Sequence, residues 1–174
     1  MLIRPSLDAD IPLITAIYGQ QVLQGTGTFE LEPPPAEEMA RRRTDVLAKG
    51  LPWLVAEAHG EVIGYALANS FRPRPGYRFT LENSIYISTD ARARGVGRLL
   101  LAELLARCEA LGHRQMLAVI GDSANTASIA LHRALGFVHC GTLPSVGWKF
   151  DQWRDVVMMQ RALGPGDRSL PATP

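Results

Sequence analysis

"DARARGVGRLL", residues 90–100, sets three arginines and two glycines in eleven positions and runs directly into a leucine-rich segment. A helix N-terminus carries unpaired N–H groups and about half a positive charge, and glycines ahead of it let an anion approach the backbone closely. Arginines beside such a turn add charge-assisted hydrogen bonds suited to phosphate. Two readings stand on composition. One is a phosphate cradle made by Arg92, Ala93, Arg94, Gly95, Val96, Gly97 and Arg98. The other is a tight turn at Gly95 and Gly97 whose arginines are solvated. A Walker A loop needs GxxxxGK followed by Ser or Thr, which does not occur, and the dinucleotide pattern fails because Leu100 stands where its third glycine belongs.

Upstream, "FTLENSIYIS" alternates as a strand, with Asn83, Ile85 and Ile87 on one face and Glu82, Ser84 and Tyr86 on the other. Downstream, Leu100, Leu101, Leu104, Leu105 and Cys108 form the apolar stripe of a helix on which Glu103 and Arg107 pair across one turn. "RQMLAVI" reads as a buried strand, and "GDSANTASIALHRALGF" as a capped helix with Ile129, Leu131 and Leu135 inward and Gly136 as its stop. Farther out, "LIRP" is a short strand, and Ile11, Ile14, Ile17 and Tyr18 mark a first helix. "GTGTFELEPPP" is a loop, "AEEMARRRTDVLAKG" a second helix ending at Gly50, and "PWLVAEAHGEVIGYALANS" a hairpin turning at His59 and Gly60. Two last strands fall around "FVHCGTLP" and "DVVMMQRAL". Strands outnumber helices without strict alternation, so the expected class is α/β of the α+β kind, a mixed sheet flanked by helices. Residues 1–163 are expected to form one domain and 164–174 a flexible tail.

Bulk properties narrow the partners. A net charge of +1 gives no global attraction to nucleic acid or to an anionic membrane, so an anion site must come from local clustering. Arg72, Arg74, Arg78, Arg92, Arg94 and Arg98 supply it. The two cysteines show no metal-ligand spacing, so no metal is expected, and they fit a reducing cytoplasm. The leucine run is broken by Glu103, well short of the ~18 apolar residues of a membrane span.

The string R-x-x-G-x-G at residues 92–97, with a strand before it, an amphipathic helix after it and "NTASIALHRALGF" beyond, resembles the GNAT acyltransferase superfamily. Within it, the chain is most similar to the phosphinothricin and methionine sulfoximine N-acetyltransferases. "GTFELEPP", "RPRPGYR", "LENSIYIS" and "VGWKFDQWRDVVMMQ" are similar to family segments in order, over all but the last dozen residues. The resemblance implies the GNAT fold with a mostly antiparallel central sheet, acetyl-CoA as cosubstrate with its pyrophosphate on residues 92–98, a homodimer, and acetylation of the α-amino group of a small amino acid or analogue. It also implies that the strand carrying Ile85, Tyr86 and Ile87 diverges from its neighbour and offers backbone groups to the pantetheine arm, with Asn125 and Ser128 contributing from the following helix.

An α-ammonium group must lose a proton before it attacks a thioester, and the family's glutamate at position 82 implies that Glu82 is that base. Alone, Glu82 also reads as an exposed strand carboxylate or a partner for Arg78. His132 stands where many relatives carry a tyrosine that protonates the leaving thiolate, while a lone helical histidine also reads as a packed or capping residue. Asn125 reads as a cofactor contact, a helix cap, or both. Arg72, Arg74 and Arg78 suit the acidic groups of an amino acid acceptor, with Phe29 and Glu30 lining the same pocket. Phe79, Leu81 and Asn83 depart from the usual family residues around Glu82, which bears on substrate preference. Other readings are acetylation of a polyamine or peptide amine, a non-catalytic acetyl-CoA sensor, and, most remotely, nucleic-acid binding.

Overall fold

The computed structural model describes residues 1–171. Seven strands, β1 (Leu2–Pro5), β2 (Trp53–Ala58), β3 (Glu61–Ser70), β4 (Thr80–Ile87), β5 (Gln115–Gly121), β6 (Val138–Lys149) and β7 (Gln152–Ala162), form one sheet in the order β1-β2-β3-β4-β5-β7-β6. Every neighbouring pair is antiparallel except β4 and β5. That parallel pair needs a crossover, which is α3 (Val96–Ala110). The other helices are α1 (Ile11–Gln24), α2 (Ala36–Ala48) and α4 (Thr126–Ala134).

Consecutive side chains on a strand point to opposite faces, and β4 uses both. Tyr86 packs edge-on against Tyr18 of α1 at 5.0 Å, in an aromatic column that continues through Tyr65 to Trp53. Ile85 and Ile87 face the other way, toward Gly97 of α3. The two helices therefore cover opposite faces, and the i, i+4 stripe of α3 lies fully inside, with Leu100, Leu101, Leu104 and Cys108 at 0% exposure. Glu103 and Arg107 pair on its outer side at 2.8 Å.

α2 is too polar to be held by an apolar stripe alone, and its three consecutive arginines fasten it in different directions. Arg41 pairs with Glu38 and Asp45 on the surface, and Arg42 reaches Glu30 in the preceding loop. Arg43 is buried and donates to the Ser6 hydroxyl, the Ser6 carbonyl and Asp8. Arg4 plays a similar part at the start of the chain, bridging Asp10 and Glu57.

Both hairpin turns carry two residues with positive φ, His59 and Gly60 (54° and 81°) and Phe150 and Asp151 (55° and 54°), the handedness that matches strand twist. The strand expected around residues 137–144 runs on to Lys149. Pro144 does not end it because β6 is an edge strand, and the register shifts between Leu143 and Gly147 absorb the irregularity. "VGWKFDQW" is thus a hairpin tip on which Trp148 and Trp153 pair at 5.2 Å, each at least half exposed.

The expected tail is tied down over most of its length. Arg114 donates to the Gly166 carbonyl, the Ser169 hydroxyl and the Leu170 carbonyl. Residues 172–174, also assigned to that tail, lie outside the described residues.

Candidate active site

The ladder between β4 and β5 stops early. Thr80, Leu81, Glu82 and Asn83 pair with residues 115–118, and beyond Asn83 and Ala118 the strands part. Residues 84–87 remain paired with β3 and residues 119–121 with β7, so one edge of each strand faces a notch. A cavity of about 720 Å³ fills it, lined by residues 83–87 and 118–120 and running to the start of α3. Unpaired strand edges are matched to an extended ligand that carries amides.

At the mouth of the notch the chain turns through Ala93 and Gly95, both with positive φ, and Gly95 caps α3. None of the backbone N–H groups of residues 93–97 meets an acceptor among the described residues. Gly97 is needed for space: a Cβ there would stand 3.2 Å from Leu131 and close to Ile85 and Ile87. Free donors, the positive end of a fifteen-residue helix and a bare backbone together make an anion seat. Arg92, Ala93, Gly95, Val96 and Gly97 line the cavity; Arg94 and Arg98 do not, and both are exposed. The arginines around the turn are therefore placed differently, Arg92 at the opening and Arg94 and Arg98 outside its lining.

Glu82 lies where the strands begin to part, on the face it shares with Ser84 and Tyr86, and it does not line the large cavity. It is half-buried and makes no ion pair or hydrogen bond among the described residues, and burial raises its pKa. Arg78 is not its partner. That guanidinium sits over the Phe79 ring at 4.6 Å and donates to the Pro75 carbonyl. A carboxylate lifted toward neutrality and left unpaired can take a proton from an amine. Ser84 and Tyr86 also border a second cavity of about 230 Å³ on the α2 side, in which the indole N–H of Trp53 has no partner among the described residues.

Across the notch, α4 presents His132, at 2% exposure the most buried residue of the helix; the expected inward residues Ile129, Leu131 and Leu135 are half-buried around it. Nδ1 of His132 lies 2.8 Å from the Ser128 carbonyl and Nε2 lies 3.0 Å from Oδ1 of Asn83. Asn125 caps the helix: its oxygen accepts from Ser128 N–H and its NH2 donates to the Gly121 carbonyl, each at 3.2 Å. One of its amide hydrogens is left for a ligand. Asn125, Ser128 and His132 all line the cavity.

The residues expected around the acceptor are dispersed. Glu30 accepts from Tyr18 at 2.9 Å and from Arg42 at 2.7 Å, so it ties the loop to the helices. Phe29 backs the site from outside the cavity, its ring wedged between Gly121 and Gly147. Arg72, Arg74 and Arg78 are exposed on the β3–β4 connection, line no part of the large cavity and meet no carboxylate among the described residues. Three features escaped the sequence reading. Gln21, Gln24 and residues 25–27 wall the notch; Asp122 and Arg154 pair within it at 3.1 Å; and buried Lys149 donates to the Thr28 carbonyl at 2.8 Å. The glycines of "GTGTF" were the available signal for the first. The other two join residues far apart in sequence and gave none.

Comparison with known proteins agrees with this geometry. The model of the acetyltransferase (GNAT) family matches residues 19–137. The chain is 54% identical to a phosphinothricin N-acetyltransferase of Alcaligenes faecalis over 97% of its own length and 86% of that protein. It is 43% identical to an L-methionine sulfoximine/L-methionine sulfone acetyltransferase of Pseudomonas aeruginosa, over 97% of the chain and 98% of that protein. Among solved structures, it matches a GNAT superfamily phosphinothricin acetyltransferase from Sinorhizobium meliloti in complex with AcCoA, with a TM-score of 0.96 and 48% identity over 98% of the chain and 92% of that one. A notch between parting parallel strands, an anion seat at the next helix and likeness along nearly the whole chain lead to one conclusion: the chain belongs to the acetyltransferase (GNAT) family.

Proposed function

We propose that this acetyltransferase moves the acetyl group of acetyl-CoA to the α-amino group of a small amino acid or analogue of the phosphinothricin or methionine sulfoximine kind. The observation that carries the reading is the continuity of the notch with the unpaired N–H groups at the start of α3. These residues fit the cosubstrate: residues 92–98 would hold its pyrophosphate, with the N–H groups of residues 93–97 as the main donors, and the free edge of residues 84–87 would hold its pantetheine amides. Asn125 and Ser128 would add contacts from α4. When bound there, acetyl-CoA supplies the thioester carbonyl that the amine attacks.

Glu82 removes the ammonium proton on the face that bears Ser84 and Tyr86, and its raised pKa makes it a stronger base than an exposed glutamate. A second proton leaves the nitrogen for solvent water as the C–S bond breaks, and His132 gives its own proton to the sulfur. Arg72, Arg74 and Arg78, which meet no carboxylate among the described residues, are suited to the acidic groups of an incoming amino acid. The names of the relatives support this acceptor class.

Residues 1–163 act as one catalytic domain in this reading. A homodimer belongs to it as well, supported by Leu143, Val146, Trp148 and Trp153, all exposed on β6 and β7. Two free thiols, Cys140 exposed and Cys108 buried with its pKa pushed up to about 12, fit a cytoplasmic setting.

The test is a screen of L-amino acids, their sulfoximine, sulfone and phosphinic analogues, polyamines and peptide amines, with thiol release as the readout. Turnover concentrated in the amino acid analogues is expected. Turnover confined to polyamines or peptides overturns the acceptor, and none with any amine overturns the enzyme reading in favour of a sensor.

A further inference from the structure

The hydrogen bonds around His132 constrain its protonation more tightly than a packing role requires. Nδ1 faces the Ser128 carbonyl at 2.8 Å, and a carbonyl only accepts, so Nδ1 carries a hydrogen. Whether Nε2 carries one too depends on which end of the Asn83 amide faces it at 3.0 Å. That end is fixed. Asn83, 5% exposed, places its NH2 3.0 Å from the Leu117 carbonyl. Turning the amide over would set two oxygens against each other there. Oδ1 therefore faces Nε2, and all three oxygens, from Ser128, Asn83 and Leu117, are satisfied together only by a doubly protonated ring. From this we infer that Asn83 is a positioning residue which holds His132 as an imidazolium in the wall of the notch.

No carboxylate does this work. Ser128 belongs to α4 itself, and its hydroxyl also lies 3.4 Å from Nδ1, farther than its carbonyl; the groups that meet the ring from other segments are Asn83 of β4, whose amide is held in turn by the Leu117 carbonyl of β5, and Phe137 just before β6, whose ring meets it edge-on at 4.9 Å. Asp122, Arg154 and Arg92 share the cavity, but Asp122 and Arg154 are paired with each other, and Glu82 points to the other face of β4. Burial pulls the pKa of His132 down and the Ser128 carbonyl pulls it up; the Asn83 oxygen facing Nε2 adds a second upward pull, so the neutral acceptors are what retain the second proton against burial. Each one has leverage on it. The use of that proton rests on the proposed acetyl transfer. As the C–S bond breaks, its electron pair goes to sulfur, the proton passes from Nε2 to sulfur, and the ring is left neutral. A lone pair then faces Oδ1 of Asn83, which favours return of the cation by proton uptake from solvent.

The test is a titration of the ring nitrogens in 15N-histidine-labelled full-length protein without ligands, from about pH 5 to 9. The His132 signal is assigned by its loss in His132→Gln, because the chain has 4 histidines. Both nitrogens are expected to be protonated through neutral pH in the parent protein. In Asn83→Leu, proton affinity falls about tenfold or more, one pH unit, leaving only Nδ1 protonated at neutrality. Asn83→Asp shifts the midpoint upward, and the alkaline limb of kcat follows both changes in the direction of each midpoint. A parent ring with a lone pair at Nε2 throughout the range overturns the inference, as does a midpoint that neither substitution moves. If Asn83→Leu does not fold, Asn83→Asp decides alone by its upward shift or lack of one. The titration needs no substrate, so an absence of acetylation would remove the proposed function and leave this result readable.

Discussion

Glu82 keeps a carboxylate half-buried with no partner among the described residues, an arrangement that costs stability and that a neutral isostere would relieve. Its pKa is raised on folding, so its contribution is most favourable below the unfolded value near 4.5 and is lost as pH rises through the folded value. Glu82→Gln is therefore expected to unfold at a higher temperature than the parent at pH 7 and above, with the gain vanishing below about pH 4. Thermal unfolding across pH checks this; equal stability at every pH would show that the carboxylate is not desolvated. The same substitution removes the proposed base, and turnover should fall by about 10² to 10⁴. Greater stability with lost turnover is the signature of a residue kept for chemistry. If Glu82 is the base, the acidic limb of kcat/KM follows its unprotonated fraction in the parent and should disappear in the variant.

At the scale of elements, the site is made by what two of them leave undone: β4 and β5 stop pairing at Asn83 and Ala118, and α3 begins with donors that no described residue accepts from. Gly97 lets that helix start pack closely on Leu131, Ile85 and Ile87. Gly97→Ala introduces a methyl 3.2 Å from Leu131, an overpacking worth about 1–3 kcal/mol, and affinity for acetyl-CoA should fall by roughly ten- to a hundredfold. Calorimetry checks it, and unchanged affinity would move the anion seat elsewhere. The helix start was readable in the sequence because glycine and arginine placement is local chemistry. So were the hairpin at His59 and Gly60, the stripe of α3 and the alternation of β4, all set by periods of two or 3.6. The divergence of β4 from β5 was available only through family resemblance, since apolar side chains on a strand say nothing about where its ladder ends. The commitment of Glu30 to Arg42 and Tyr18, the pairing of Asp122 with Arg154 and the burial of Lys149 against Thr28 were not legible, because each joins segments that only the folded topology brings together. That Arg72, Arg74 and Arg78 lie outside the large cavity was not legible for the converse reason: nearness in sequence to Glu82 does not fix the side of a strand end on which a loop lies.

Over the whole molecule, the loop that walls the notch is clamped to the far edge of the sheet. Phe29 fits against Gly147 of β6, where an added Cβ would stand 2.7 Å from two ring carbons. Gly147→Ala should destabilise the protein by about 1–3 kcal/mol and lower Tm by about 2–4 °C per kcal/mol. A Tm equal to the parent's would show that the loop yields and that the clamp does not hold the wall. The exposed apolar side chains of β6 and β7 bear on assembly, and light scattering should give twice the 19.0 kDa chain mass if they meet across a dimer. The central claim is that one continuous notch seats acetyl-CoA and delivers its thioester beside Glu82. Acetyl-CoA titrated into the parent and Glu82→Gln proteins, with thiol release measured on the same samples, tests it most directly. Equal affinity in both, with turnover only in the parent, is the result this account predicts; no binding to either, or undiminished turnover in Glu82→Gln, would contradict it.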